Sequence, residues 1–541
     1  MRYDHGGALL VAVLKELGID TVFGIVSVHN LPLVEAVDRE LRFVPVRHEA
    51  TAVNAADAYG RARGSIGCAL TSTGTGAGNA AGSLVEALAT GTSVLHVTGQ
   101  VEAEFLGSGR GFIHETKDQL GMLEAVSAYA ATVRSADEAG RVLRAAAAAA
   151  LASPGGPASV EWPIDLQYAA QTDEGGAPAQ APAPTPDAAQ LSAAAELLAS
   201  AERPLIWAGG GANRARTELA ALVEATGAGL LTSNSGRGSV PEDHPQVVGN
   251  FATTPAGRAL LADADVLLTV GTHFRSNETA DYGLALPAAH VQIDVDAAAL
   301  GRVYPATHAL HGDAAAVLRE LLPHARRAEP AWTERIGRVR TEVRAALHDN
   351  IGPQAAICDA LRAALPRDAV VARDVTIASS SWGNRLLEMY DPRANVFPRG
   401  GGIGQGLGMG IGAALAAPDR PTVVMAGDGG LAVHLGELLT LAQERPRLTL
   451  LVFNDGGYGV LRNMQDRYAD RRSGVDLTTP DFELLARACR LPYLRIAAAE
   501  DSGAVMGQAV DSDGPVLVEV DLAALGPMKN PFTPPVKIPA A

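Results

Sequence analysis

Short apolar runs rich in branched residues alternate along the chain with alanine-rich stretches of helical character. In the first third the runs are TVFGI (21–25), FVPV (43–46), GCALTST (67–73), SVLHVTG (93–99) and PASVEWP (157–163). The middle third has RPLIWAGGG (203–211), VLLTVG (266–271) and HVQIDV (290–295). The last third has AVVARDV (369–375), TVVMAGDG (422–429), LTLLVFND (448–455) and PVLVEVD (515–521). Runs of this length between helical segments predict strands of parallel sheets, whose two faces are covered by helices. The pattern therefore predicts an α/β protein of three consecutive doubly wound parallel-sheet domains.

The interruptions predict the boundaries. A first domain over 1–170 ends at an Ala/Pro/Gly-rich linker, 171–188, which has little to bury. A central domain over 189–325 follows, then a polar, Arg-rich helical connector over 326–350. A third domain spans 351–525 and a proline-rich tail spans 526–541. Composition is ordinary for a large globular core, at 47% hydrophobic and 19% charged. A net charge of −16 excludes nucleic acid and anionic membranes as main partners, since both need a basic face. Cys68, Cys358 and Cys489 are far apart in sequence. That spacing argues against a disulfide framework or thiolate metal site and for a reducing compartment. The N-terminal stretch lacks a signal-peptide pattern, and no uncharged apolar run approaches a membrane span. The expected location is the cytoplasm.

In open parallel sheets, ligands sit beyond the carboxyl ends of the strands. Asp428 and Asn454 close two successive predicted strands, so a strand–helix–strand crossover brings them to one edge. Two hard oxygen donors there suit Mg2+ or Ca2+ rather than zinc, and Mg2+ commonly completes its shell with phosphate oxygens. The glycines of GDGG let backbone N–H groups come close to an anion. The local chemistry is that of a metal-bridged diphosphate. A second acidic residue, Glu49 in RHEATAVNAADAYGRARG, lies between the run FVPV and an Ala-rich helix. A carboxylate buried at such a place is costly unless it has a partner or a task.

GDG, 24 residues and then Asn is the fingerprint of thiamine diphosphate (ThDP) enzymes. Over essentially its whole length the chain resembles the acetolactate synthase/benzoylformate decarboxylase superfamily, in the order pyrimidine-binding, central and diphosphate-binding domain. The resemblance implies that Asp428, Asn454 and the main-chain carbonyl of Gly456 hold Mg2+, and that Gly429, Gly430 and Thr376 contact the diphosphate. It implies that Glu49 hydrogen-bonds the aminopyrimidine nitrogen N1′ and promotes deprotonation of the thiazolium carbon. In RGGGIGQGLGMGIGAAL, Leu407 falls where a bulky apolar side chain props the cofactor rings, and the Gln405 carbonyl falls where it receives the 4′-amino group. Because the family's pyrimidine domain serves a neighbouring chain's cofactor, a homodimer or homotetramer with active sites between subunits is implied.

The family's reaction begins with attack of the C2 carbanion on a carbonyl, with the ring as electron sink for loss of CO2. The resulting enamine is either protonated or joined to a second carbonyl. Residues His29, in VFGIVSVHNLPL, and His114, in FIHETKDQ, are expected near the reacting carbon, where imidazoles relay protons. Val28, Tyr458, Val460 and Leu461 are expected to make the pocket mostly apolar. Ser72 and Asn277 take the places of the two catalytic histidines of benzoylformate decarboxylase, so aromatic 2-oxo acids do not follow from the likeness. GGGANRART (209–217) looks like a nucleotide turn but lacks GxGxxG spacing and a fitting acidic partner, so FAD is not expected. The tail is expected to fold over the site as a lid. The expected activity is a ThDP- and Mg2+-dependent decarboxylase or C–C lyase acting on a small 2-oxo acid or 2-hydroxyketone. An acetolactate synthase-type carboligase is the alternative. A catalytically silent ThDP-binding regulator is the reading from another class, against which intact Glu49, Asp428 and Asn454 argue.

Overall fold

The computed structural model of the chain describes residues 1–176 and 183–534. Three six-stranded sheets follow one another, and every pairing inside them is parallel. The first has the spatial order Arg42–Pro45, Thr21–Gly24, Gly67–Thr71, Val94–Gln100, Pro157–Pro163, Tyr129–Thr132. The third runs Asn395–Val396, Val370–Arg373, Thr422–Gly427, Leu448–Asn454, Val516–Asp521, Tyr493–Ile496, which repeats the connectivity of the first. The central sheet differs: Val247–Gly249, Gly229–Thr232, Pro204–Ala208, Val266–Val270, Ala289–Asp294, His308–His311. That is the dinucleotide-fold order, in which the chain direction reverses between Pro204–Ala208 and Val266–Val270. A two-stranded antiparallel pair, Arg2–Tyr3 with Gln171–Thr172, closes the first domain.

The twelve runs picked out by hydrophobicity all became strands. Six sheet strands had no such signal. Five of them, Tyr129–Thr132, Val247–Gly249, His308–His311, Asn395–Val396 and Tyr493–Ile496, lie at sheet edges, where the apolar signature is weak; Gly229–Thr232 is the interior exception. The expected helical connector is the helix Pro330–Asn350. It is amphipathic, burying Trp332, Ile336, Val339 and Val343 in the core that joins the second and third domains, and the Trp332 indole donates to the Pro204 carbonyl at 3.0 Å. Part of the expected linker, 177–182, and the end of the tail, 535–541, lie outside the described residues.

The first and third domains meet through helices Glu49–Arg63 and Gly406–Ala416. Small residues permit the approach: a Cβ on Gly412 would stand 2.0 Å from the Ala55 carbonyl oxygen, and one on Gly408 2.9 Å from Thr51.

Candidate active site

At the carboxyl edge of the third sheet, Thr422–Gly427 and Leu448–Asn454 pair side by side, so Asp428 and Asn454 emerge together. Asp428 opens the short helix Asp428–Val433. One carboxylate oxygen accepts the Asp455 N–H at 3.3 Å, while the other is buried without a partner. Asn454 spends its amide N–H on Glu519 at 2.7 Å, which leaves the amide oxygen as its free group. The Gly456 carbonyl accepts the Leu477 N–H at 2.9 Å and retains its second lone pair. Burial pushes the Asp428 carboxyl up; burial, and then the charge of Asp428, push Asp455 up to about 6. Two adjacent carboxylates, only partly offset by Arg462 at 3.6 Å from Asp455, beside an amide and a carbonyl oxygen fit a hard divalent cation. Among the described residues no cluster of three or more His, Cys, Asp and Glu side chains offers a competing metal site.

The neighbouring turns complete this edge. The Tyr458 ring lies against Gly429, where a Cβ would approach it to 2.8 Å. Gly430 lies beside Asp374, and the Thr376 hydroxyl lies beside Gly427. Thr376 lies three residues past the end of strand Val370–Arg373, in the bend just before the following helix. Val460 and Leu461 sit in the first turn of helix Gly459–Tyr468, Val460 half-buried and Leu461 exposed. The described part of the tail runs beside this helix, with Asn463 donating to the Phe532 carbonyl at 2.9 Å. The rest of the tail expected to act as a lid, 535–541, lies outside the described residues.

One placement in the glycine-rich loop changes. Leu407 is only 2% exposed and belongs to the third domain's core, so its side chain is not free to touch a ligand. The bulky apolar residue that is free there is Ile403, four residues earlier and 40% exposed. The GIG in the sequence carried that signal, but the spacing alone did not choose between Ile403 and Leu407. The Gln405 carbonyl accepts the Met409 N–H at 3.0 Å in the first turn of its helix and, like that of Gly456, retains its second lone pair.

A second group gathers at the carboxyl edge of the first sheet. Glu49 is the first residue of its helix, and His48 caps that helix by accepting the Ala50 N–H at 3.1 Å. Half-buried Glu49 accepts from Asn79 at 3.0 Å. Glu49 and buried Ser72 face the same glycine, Gly76, at 3.1 and 2.8 Å from where its Cβ would be, and the Ser72 hydroxyl has no partner. His29 is 3% exposed, and neither ring nitrogen has a partner. Its ring meets that of His114 edge to face, with centroids 5.3 Å apart. Burial, and then the charge of His114, lower the His29 pKa, so His29 is neutral near pH 7. His114 is exposed and held at φ +66°, with its backbone carbonyl against Gly74. Val28, beside His29, is 58% exposed.

Asn277 stands apart, exposed on a turn of the central domain next to Arg275 and Glu278. Those two line a separate cleft of about 380 Å3 between all three domains. Gly210, Gly211 and Gly271 reach it from the reversal point of the central sheet. Asp294, which ends the strand Ala289–Asp294, also lines it with one buried oxygen unpartnered. A carboxylate thus shares this cleft with the glycine turn, although not at the end of the neighbouring strand Gly229–Thr232, where a dinucleotide site carries its acidic residue.

Two α/β domains of like connectivity, one with an oxygen-donor edge and one with a carboxylate–imidazole edge, separated by a dinucleotide-type domain, define a cofactor-dependent enzyme architecture. Comparison with known proteins gives the family. Residues 4–122 match the thiamine pyrophosphate enzyme N-terminal TPP binding domain, 191–321 its central domain and 377–520 its C-terminal TPP binding domain. A probable 2-ketoarginine decarboxylase of Pseudomonas aeruginosa is 36% identical over 491 residues, 89% of this chain and 88% of that protein. An acetolactate synthase of Mycobacterium bovis is 30% identical over 548 residues, 96% of this chain and 88% of that protein. A probable acetolactate synthase large subunit of Methanocaldococcus jannaschii is 28% identical over 560 residues, 97% and 93% of the two chains. The chain belongs to the thiamine pyrophosphate enzymes. Among the described residues no helix is long and apolar enough to cross a membrane.

Proposed function

We propose that the protein is a ThDP- and Mg2+-dependent decarboxylase of a small 2-oxo acid. The observation that carries this reading is the pairing of buried His29, whose ring nitrogens have no partner, with His114 at the same sheet edge as Glu49, a proton-handling group where the aminopyrimidine would lie. The likeness to the 2-ketoarginine decarboxylase supports it. Asp428, Asn454 and the Gly456 carbonyl would hold Mg2+; Gly429, Gly430 and Thr376 would contact the diphosphate, and Glu49 would meet the aminopyrimidine nitrogen. Ile403 replaces Leu407 as the residue that props the rings. When bound, the cofactor supplies a carbon acid that adds to a carbonyl and accepts the electron pair left by CO2.

The chain's own residues do the rest. Glu49 holds a proton at the ring nitrogen. Neutral His29 accepts a proton near the reacting carbon and exchanges it with exposed His114, which opens to solvent. Val28, Val460 and Leu461 keep water away from the substrate side chain. Val28 and Ile113 at one edge, and Ile403, Val433 and Leu461 at the other, are exposed apolar side chains. A second copy covering them would bring one chain's Glu49 edge to the other's Asp428 edge, hence a homodimer or larger homo-oligomer.

Full-length likeness to acetolactate synthases favours a second reading, a carboligase that joins the carbon fragment left after loss of CO2 to a second carbonyl. Incubation with ThDP, Mg2+ and a panel of 2-oxo acids, including a guanidino-oxo acid, separates the two when products are followed by NMR. CO2 with free aldehyde supports the decarboxylase. CO2 with a coupled hydroxyketone moves the assignment to the carboligase, and turnover of neither kind rejects both.

A further inference from the structure

Two buried carboxylates take four backbone N–H groups on alternate residues of the glycine-rich loop. Glu86, 4% exposed, stands on helix Thr75–Thr90 of the first domain and accepts from Gly400 and Gly402, the latter at 3.1 Å. Asp374, 3% exposed and one residue past strand Val370–Arg373, accepts from Gly404 at 3.1 Å and Gly406 at 3.0 Å. Its first oxygen also takes the Val375 N–H at 2.7 Å. The carbonyl side is tied at both ends: Arg275 donates to the Arg399 carbonyl, and the His434 ring meets the Gly404 carbonyl at 2.8 Å. His434 in turn packs against His48, the cap of the Glu49 helix, with centroids 4.9 Å apart.

Burying a carboxylate among backbone amides is costly, and burial pushes Asp374 up to about 6. A loop of this composition has no side-chain packing to define it. Gly400, Gly401, Gly402 and Gly404 surround Ile403, so without external ties the chain there would sample many conformations. Ties on residues 400, 402, 404 and 406 leave Ile403 as the one bulky side chain of the loop standing free.

We propose that Glu86 and Asp374 are positioning residues: a carboxylate clamp, one jaw from each cofactor domain, that fixes the 400–406 loop so that Ile403 is presented to the bound cofactor. This rests on the reading above that Ile403 meets the cofactor rings. Since Glu86 belongs to the first domain, the clamp also makes cofactor geometry depend on how the first and third domains pack.

The test uses full-length protein with ThDP and Mg2+ as probes, so that no substrate need be known. ThDP affinity is read by quenching of tryptophan fluorescence, and the C2-proton exchange of bound cofactor by quenched-flow NMR at saturating ThDP. Glu86→Gln and Asp374→Asn are each expected to weaken ThDP binding and slow C2 exchange by about 10–100-fold, as misplacement of a reacting group by roughly an ångström does. A purely structural role would lower the melting temperature and leave exchange at saturation unchanged; that result overturns the proposal. Should a variant fail to fold, amide hydrogen exchange of the wild type decides. The clamp requires the 400, 402, 404 and 406 amides to be protected although they lie outside any strand, and exchange at free-loop rates refutes it. Wild type that binds no ThDP would sink the functional reading itself. Wild-type binding with unaffected variants would sink only the clamp.

Discussion

At the residue scale, two of the side chains assigned chemistry carry polar atoms that the fold leaves unused. Asp428 has one buried oxygen with no partner and His29 has two such nitrogens. Leaving such groups unpaired costs stability, and proteins retain the cost where a ligand repays it. Asp428→Ala should therefore abolish metal-dependent ThDP binding, with affinity falling at least about 100-fold by titration calorimetry; unchanged affinity refutes the metal assignment. Glu49→Gln should leave ThDP bound and slow its C2-proton exchange about 100-fold or more by NMR, because the ring nitrogen loses a charged partner. Wild-type exchange in that variant removes Glu49 from the mechanism. His29→Ala is expected to reduce turnover of the accepted 2-oxo acid by about 10²-fold while its KM moves little.

At the element scale, the junction of helices Glu49–Arg63 and Gly406–Ala416 carries the orientation of the two cofactor edges. The first helix starts at Glu49 and the second follows the clamped loop, so a shift of one against the other moves both. Gly412 has backbone, not side chain, as its close neighbour, and that neighbour cannot yield cheaply. Gly412→Val is expected to destabilise the protein by about 1–3 kcal/mol through overpacking. A lower thermal midpoint in calorimetry checks this, and an unchanged midpoint would mean that the two helices are free to separate. The strands show why their legibility varied. Interior strands such as Leu448–Asn454 are buried on both faces and read as unbroken apolar runs. Edge strands such as His308–His311 carry polar or exposed residues and do not.

For the whole molecule, exposed apolar residues at both edges predict self-association. Sedimentation velocity should find a dimer or larger species at micromolar concentration; a monomer that nonetheless turns over would refute an active site shared between subunits. Acid stability follows from His96, which lies fully buried between Thr71 at 2.9 Å and Ser159 at 3.0 Å. Burial holds its pKa down at about 4, against 6.5 in the unfolded chain. As pH falls the unfolded chain takes the proton first, so stability is whole above about pH 6.5 and drains away as pH falls to about 4. The loss from this residue is up to about 3 kcal/mol. His96→Gln should flatten that part of the melting temperature–pH curve, and an unaltered slope would assign acid lability to other groups.

The sequence by itself determined the fold class, the three sheets, and the pairing of Asp428 with Asn454. Each of these is written in local order: apolar runs of strand length, and a crossover of fixed length that returns to the same edge. The resemblance carried by GDG and Asn reached the family for the same reason, since the motif is contiguous. Tertiary structure alone decided that Leu407 faces the core and Ile403 stands free, because four residues apart in a glycine-rich loop no periodicity fixes which side chain points out. It alone joined His29 to His114, and Glu86 to Gly400 and Gly402. Those contacts cross many residues or a domain boundary, and their register is set by how helices and sheets pack rather than by anything written near either partner.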